Sequence, residues 1–257
     1  MKVTKNDNIS IIAVSDVDRV EFLNNIFTND VSKVSNKNSI YTCLLSPQGK
    51  LIADLILSDY KDSLFICSYS KFKDDLIKVL NMYKLRSKVK IEDVSNDYQY
   101  YFVEYENLQT TLNKSEIFPG NTFLSNNSLL VIDPRLAELG AHVIASDNLI
   151  DGKEYEINND DMNLNYFKHG IVPSSILSDM KKVYPLEANI HLLNGIDFKK
   201  GCYVGQEVTA RMKLKNKIPK IIFSLISDRL IEDEDENENI YANDQVIGKI
   251  IAKYEKF

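Results

Sequence analysis

The 257-residue chain has no tryptophan, only three cysteines and three histidines, and six prolines. Without an indole, any stacking on a flat ligand ring falls to its 14 Tyr and 11 Phe. Cys43, Cys67 and Cys202 are too few and too scattered for a disulfide framework, and no CxxC pair occurs. That usage is typical of a reducing compartment. Three thiols also fall short of the four that hold a standard iron–sulfur cluster, so the chain is not expected to carry one by itself. His142, His169 and His191 lack zinc-motif spacing and read as surface or core histidines, with no resident metal expected. No apolar run is long enough to cross a bilayer. The opening MKVTKNDNISIIAV lacks the apolar core of a secretory signal. A cytoplasmic protein without a membrane partner is therefore expected. Basic charge is also in deficit: 31 Lys and Arg face 37 Asp and Glu, a net charge of −6. A general nucleic-acid binder needs the opposite balance, so no nucleic-acid partner is expected.

What remains is an ordinary globular composition, 44% hydrophobic and 26% charged, in a chain long enough to bury a core. ISIIAV at 9–14 predicts a first strand. Ser15 or Asp16 can cap the next segment, where Val17, Val20, Leu23 and Phe27 fall near helical spacing. TNDVSKV then reads as a turn. Residues 39–45 and 51–57 predict a hairpin across SPQGK, and 64–68 a further strand. Phe72, Leu76, Val79 and Leu80 share one face of a helix over 70–83. KLRSKVKIEDVS, 98–104, 129–132 and 141–145 read as strands, with DPR at 133–135 as a turn. Residues 159–169 predict a helix ended by Gly170 and Pro173, residues 174–184 a loop, and 221–226 a strand. The acidic run IEDEDENEN at 231–239 reads as a solvated loop, and the last twelve residues as a strand or hairpin. Sheets with helices packed on one face make an α+β protein.

Two stretches draw attention for their chemistry. Asp54 interrupts an apolar strand. Either it lies on a solvent face, with Ala53, Leu55 and Leu57 forming the inner row, or it is a functional carboxylate, because an unpaired one is costly to bury. The second stretch is IDFKKGCYVGQEVTARM, residues 196–212. Cys202 follows Lys199 and Lys200, lies between Gly201 and Gly205, and precedes a helix opened by Gln206 and Glu207 that also carries Arg211. Cations and a helix N-terminus favour the reactive thiolate, and the glycines free the backbone and permit close approach. The other reading of a lone Cys is a buried structural one.

KGCYVGQE resembles the signature of the YgfZ family, folate-binding relatives of the glycine cleavage T-protein (an aminomethyltransferase) that are tied to maturation or repair of iron–sulfur enzymes. FL…TNDV, SIYTCLLSPQGKLIADLIL, KLRSKVKIED, DPRLAELG and YPLEANIHLLNG are similar to further family segments, so the resemblance covers most of 9–225. GIVP and the lack of Trp look like the alphaproteobacterial and mitochondrial branch.

The resemblance implies a T-protein-like fold in three parts: residues 1–95 as an N-terminal α+β folate-binding subdomain, 96–215 as a second α+β subdomain carrying the signature, and 216–257 as a short C-terminal β-barrel-like segment. It implies tetrahydrofolate as cofactor, with Asp54 beside the folate, Arg86 meeting its glutamate tail, Glu138 accepting from the pterin and Tyr203 supplying an aromatic contact. The family's Trp positions fall on Ile9 and Met162. The expected role is a folate-binding accessory factor for four-iron cluster proteins rather than a conventional enzyme. Cys202 is then the key group, assisted by Lys200, with Lys199, Gly201, Gly205, Gln206, Glu207 and Arg211 forming the signature loop. Expected partners are iron–sulfur assembly or carrier proteins and client enzymes. The alternative is a tetrahydrofolate-dependent aminomethyltransferase.

Overall fold

The structure, a computed structural model, describes residues 3–105, 108, 112, 116–125, 127–146, 159–180, 182–225 and 239–253. Two five-stranded antiparallel sheets form its body. The first has the order β3-β4-β5-β2-β6, from β2 (Ile9–Ser15), β3 (Ile40–Leu45), β4 (Leu51–Tyr60), β5 (Ser63–Tyr69) and β6 (Lys90–Asp93). The second has the order β1-β7-β10-β9-β8, from β1 (Val3–Lys5), β7 (Gln99–Val103), β8 (Thr122–Ser125), β9 (Ser128–Ile132) and β10 (Ala141–Ala145). Sequence patterning missed β1 and β8. Both are short edge strands, too brief to show alternation.

All six residues of β3 are buried, because its open edge is covered: Phe27 bridges to Leu44, and Thr28 N–H donates to the Cys43 carbonyl. The sheets meet along a seam of hydroxyls. Ser39 Oγ lies 2.8 Å from both Ser58 Oγ and Thr122 Oγ1, and Ser39 N–H donates to the Gly120 carbonyl. Leu129, Val131, Ile144 and Tyr100 of the second sheet join the core of the first, so apolar burial across the seam holds the two sheets together.

Five helices are described. α1 (Arg19–Asn24) buries Phe22 and Leu23, and Asp18 rather than Ser15 or Asp16 stands at its N-cap. α2 (Lys73–Lys84) buries Leu76 and Leu80, one turn apart. Asp74 and Asp75 in its first turn and Lys84 in its last complement the helix dipole. α3 (Asn159–Lys168) leads to Gly170 and Pro173, and α4 (Ser174–Asp179) is a helix where the sequence predicts a loop. α5 (Gln206–Leu214) carries the end of the signature.

Residues 221–225 are not a strand. They run irregularly because Ile222 is tied to the 184–193 segment instead: its N–H donates to the Glu187 carbonyl and its own carbonyl accepts from Asn189 Nδ2. The described C-terminal part is a two-stranded hairpin, β11 (Asn239–Ala242) and β12 (Gln245–Lys249), turning through Asn243 and Asp244 with positive φ. Among the described residues this part is a small two-stranded sheet. The acidic residues 231–238 lie outside the described residues.

Candidate functional site

Asp54 sits on β4 opposite Cys43 of β3 and is only 3% exposed. The solvent-face reading is therefore wrong: β4 is covered on both faces. Tyr41 Oη and Ser174 Oγ donate to Asp54 Oδ2 at 2.9 and 2.8 Å. Oδ1 is buried and meets no hydrogen-bond partner among the described residues. Burial pushes the Asp54 carboxyl up, opposed by the Arg135 guanidinium and by the two hydroxyls. Ser174 reaches Asp54 because α4 begins there, directly after Pro173.

Behind Asp54 lies a second buried group. Arg135 Nε and Nη2 grip the two oxygens of Asp133 at 3.0 and 2.7 Å, and Arg135 N–H also donates to Oδ1. His142 Nε2 lies 2.9 Å from Asp133 Oδ2, and Arg135 Nη2 donates to Tyr166 Oη at 2.9 Å. Burial opposes ionisation of Asp133, but Arg135 and His142 outweigh it and hold the carboxyl well below the usual carboxylate range. The guanidinium lies over the Tyr166 ring at 4.6 Å and the Tyr41 ring at 5.3 Å.

Tyr41, Asp54, Arg135, His142 and Ser174 border a cavity of about 160 Å³ between the sheets, also lined by Met162 and Tyr166 of α3. Tyr41, Tyr100 and Tyr166 give it aromatic walls, and Ile9 and Met162, where the family resemblance sets tryptophans, both line it. A buried carboxyl with one unmet oxygen, set among rings, suits a flat heterocycle bearing N–H donors. The residues fit a pterin.

The signature loop is a separate construction. Cys202 is exposed and does not line the cavity, while Cys43 and Cys67 are buried in the core. Burial pushes the thiols of both core cysteines up, Cys43 also through Asp54. Lys200, expected to assist the thiol, has its ammonium engaged elsewhere: Nζ donates to the carbonyls of Asn24, Phe27 and Asn29 at 2.6, 2.8 and 2.9 Å. Those three acceptors match the three donors of an ammonium. They tie the loop to the C-terminal end of α1, where a cation is favoured. Burial draws the ammonium pKa down to about 8.

TNDV and LNG, more than 160 residues apart, are joined next to this anchor. Thr28 Oγ1 donates to the Gly195 carbonyl at 2.6 Å, and Asn29 Nδ2 donates to the carbonyls of Tyr41 and Asn194. Asp197 accepts from Lys33 Nζ and from Lys199 N–H.

Gly205, with φ +80°, is the N-cap of α5 and packs on the SPQGK turn. A Cβ there would lie 2.5 Å from the Ser46 carbonyl oxygen, and one at Gly49 would lie 2.9 Å from Val208 Cβ. Gly201 has open space around its missing Cβ. Gln206 and Glu207 open α5, and Glu207 pairs with Arg211 one turn on. Tyr203 is buried in the core.

Of the residues the family resemblance assigns to folate, the structure thus sets Asp54 on the cavity wall. Arg86 is exposed in the turn after α2, Glu138 is exposed in a short 3-10 turn, and neither lines the cavity. Tyr41, Asp133, Arg135, His142, Tyr166 and Ser174 were missed as site residues. The DPR run carried a usable signal, an Asp and Arg two apart at the end of an apolar strand.

The GCVT N-terminal domain family model matches residues 6–103. The chain is similar to proteins named iron-sulfur cluster assembly factor IBA57 homolog, mitochondrial. In Mycosarcoma maydis the identity is 29% over 240 residues, covering 87% of this chain and 57% of that protein. In Neurospora crassa it is 30% over 238 residues, covering 87% and 53%. The mouse protein, iron-sulfur cluster assembly factor IBA57, mitochondrial, is 27% identical over 235 residues, covering 84% of this chain and 64% of its own length. The chain thus spans a little over half the length of the curated relatives it matches. Among solved structures, the glycine cleavage system aminomethyltransferase T of Bartonella henselae superposes with a TM-score of 0.61 at 13% identity, covering 83% of this chain and 63% of that one. The fold is T-protein-like, as expected.

The cytoplasmic assignment is corrected by these relatives, which are named mitochondrial factors. Its physical basis was too coarse: unpaired thiols indicate a reducing compartment without saying which one.

Proposed function

We propose, from its likeness to the IBA57 assembly factors and its GCVT N-terminal domain match, that the chain is a folate-binding accessory factor of the YgfZ/IBA57 kind for the assembly or repair of four-iron cluster proteins, acting in a mitochondrial setting. The observation that carries this reading is the position of Cys202. It is the one exposed thiol of three, held on a loop fixed to α1 by Lys200 and to the β3–β4 turn by Gly205. A thiol so placed can meet a partner's surface. Cys43 and Cys67 are locked in the core and cannot join Cys202 around one metal centre. A cluster touched by Cys202 therefore takes its other ligands from a partner: an assembly or carrier protein, or the client enzyme. Lys200 acts as a positioning residue, and Lys199, Gly205, Gln206, Glu207 and Arg211 shape the surface that a partner meets.

Folate enters this reading through the Asp54 cavity. Asp54 Oδ1 is free to pair with a ring N–H or amino group, and the Tyr41, Tyr100 and Tyr166 rings flank the space. Bound tetrahydrofolate would bring one-carbon chemistry to the cavity. The chain's own part there is to fix the Asp54 carboxyl through the Tyr41 and Ser174 hydroxyls, which donate to Oδ2 and leave Oδ1 as the acceptor. The rival reading, an aminomethyltransferase, rests on likeness in fold at 13% identity, and the named assembly factors do not favour it.

The test is complementation. Cells lacking their own member of this family are given the wild-type chain or Cys202→Ser, and four-iron enzymes are assayed beside enzymes without such clusters. Recovery of the four-iron activities by wild type and not by the serine variant is expected. Equal recovery by both would remove Cys202 from the mechanism, and no recovery by wild type would remove the function.

A further inference from the structure

Strand register sorts the second sheet into two faces. Tyr101 and Val103 of β7 and Ala141, Val143 and Ala145 of β10 pack into a core of their own on one face. Tyr100 and Ile144, opposite each other in the ladder, join the core of the first sheet on the other. His142 pairs with Phe102, two residues along on both strands, so alternation puts it on the Tyr100 side. Its ring lies 5.7 Å from that of Tyr100 and 5.8 Å from that of Phe102. It therefore points between the sheets, where it lines the Asp54 cavity. It is 4% exposed, a polar residue in a strand otherwise made of Ala, Val and Ile.

One ring nitrogen has a partner and the other does not. Nε2 lies 2.9 Å from Asp133 Oδ2. Arg135 grips both oxygens of Asp133 and keeps that carboxyl ionised, so it can only accept. Nε2 must then carry the hydrogen, and in the neutral imidazole Nδ1 is left with a lone pair. Nδ1 is buried and meets no hydrogen-bond partner among the described residues. Asp54 Oδ1 is in the same condition. Of the buried side-chain polar atoms without a partner among the described residues, these two are the ones that belong to residues lining this cavity. Buried polar groups in folded proteins are almost always satisfied, so two unmet acceptors on one cavity call for donors from a ligand.

We infer that His142 is a ligand-binding residue of this cavity: its Nδ1 accepts a hydrogen from an N–H or amino group of the bound ring, and Asp133 is the positioning residue that fixes the tautomer. The inference rests on the folate reading above for the identity of the ring, and it adds to Asp54 a second group that reads it. The consequence is selectivity. A ring that presents hydrogens to both acceptors satisfies them, whereas a ring that turns a carbonyl oxygen toward Nδ1 sets lone pair against lone pair and leaves both unmet. Asp133 and Arg135 thus act on the ligand through His142, without touching it at that nitrogen.

Two variants of the full chain, titrated calorimetrically with a tetrahydropterin, test it. In His142→Gln the amide nitrogen reaches the place of Nε2 and keeps a donor on Asp133, with nothing at the place of Nδ1. In His142→Asn the side chain reaches only the place of Nδ1, can set its oxygen there, and gives up Asp133. His142→Gln is expected to melt close to wild type and to bind tetrahydropterin about tenfold more weakly, the scale of one hydrogen bond to a buried acceptor. His142→Asn is expected to melt lower and to bind more tightly than His142→Gln. A histidine that only supports the fold gives the reverse order, with affinity following stability. In wild type labelled with 15N at histidine, the Nδ1 resonance is expected to move upfield as tetrahydropterin binds, and its absence from His142→Gln assigns it. If His142→Gln binds as tightly as wild type and the Nδ1 resonance stays in place, the assignment is wrong and the folate reading stands. If wild type binds no tetrahydropterin, the folate reading fails and takes the assignment with it.

Discussion

The hydroxyl of Tyr41 donates to Asp54 at 2.9 Å, and the same ring lies 5.3 Å from the guanidinium of Arg135. A residue of β3 thus joins a carboxyl of the first sheet to a cation of the second. Both partners are buried, and the electrostatics of the cavity depend on this junction.

Its first consequence is a pH dependence. Burial raises the Asp54 carboxyl pKa in the folded state, whereas an unfolded Asp titrates near ~3.9. Between those values the native state holds a proton that the unfolded state has released. Stability therefore falls as pH rises through that window and levels off above the folded value. Asp54→Asn removes this slope. In urea melts from about pH 4 upward, the Asn variant should gain on wild type as pH rises, while its tetrahydropterin binding is lost. A stability gap that stays constant with pH would show that Asp54 is not held up by its surroundings.

Asp133 behaves in the opposite way. Its carboxyl is held down by Arg135 and His142 against burial, so its contribution is present above the unfolded value and is lost as pH falls toward the folded one. Asp133→Ala leaves Arg135 charged and buried without its partner. Removing one member of a buried pair costs about 3–5 kcal/mol, so the variant should be severely destabilised at neutral pH in chemical unfolding. A loss under about 1 kcal/mol, the scale of an exposed pair, would mean that solvent reaches Arg135.

The contrast between these carboxylates also shows what was legible in the sequence. Asp54 stood out because it broke an apolar strand, and the pattern alone could not decide between an exposed face and a buried site. That choice depends on β4 being covered on both sides, by β-sheet packing and by α4, which the sequence predicts as a loop. Asp133 and Arg135 read as a turn because local spacing carries no trace of His142 or Tyr166 closing over them. The T-protein-like fold was legible through long motifs and strand patterns. Arg86 and Glu138 were named through the resemblance, and their exposure away from the cavity follows from backbone paths that motif spacing does not encode: the reversal at Leu85, with φ +42°, and the short turn over Ala137–Leu139.

The glycines of the signature make a matched pair of tests. Gly205→Ala introduces a Cβ against the Ser46 carbonyl at a backbone with φ +80°. Left-handed strain and overpacking together should cost about 2–4 kcal/mol. Gly201→Ala meets open space at a backbone outside the left-handed region, so its stability should stay within about 0.5 kcal/mol of wild type. Thermal melts of both variants decide it. Equal losses would mean that the packing of α5 on the β3–β4 turn is not what the second glycine serves.

Lys200 and Cys202 separate position from reactivity. Lys200→Met strips the cation from the carbonyls of Asn24, Phe27 and Asn29 and frees the loop from α1. Buried acceptors left unmet each cost about 1–3 kcal/mol, so the variant should melt lower than wild type. Cys202 should still alkylate, because its exposure does not depend on that anchor. In native wild type Cys202 should react with iodoacetamide at least about a hundredfold faster than Cys43 or Cys67, whose thiols are buried and whose thiolates are disfavoured. Mass spectrometry of timed digests reads all three sites at once. Cys202→Ser keeps the size and the exposed position, so its melt should match wild type while four-iron enzyme maturation is lost. The two variants therefore part on different axes, Lys200→Met losing stability with the thiol still reactive and Cys202→Ser losing the thiol with stability intact. If Cys202 labels no faster than the core cysteines, its loop is closed in solution and the partner-facing role assigned to it is wrong.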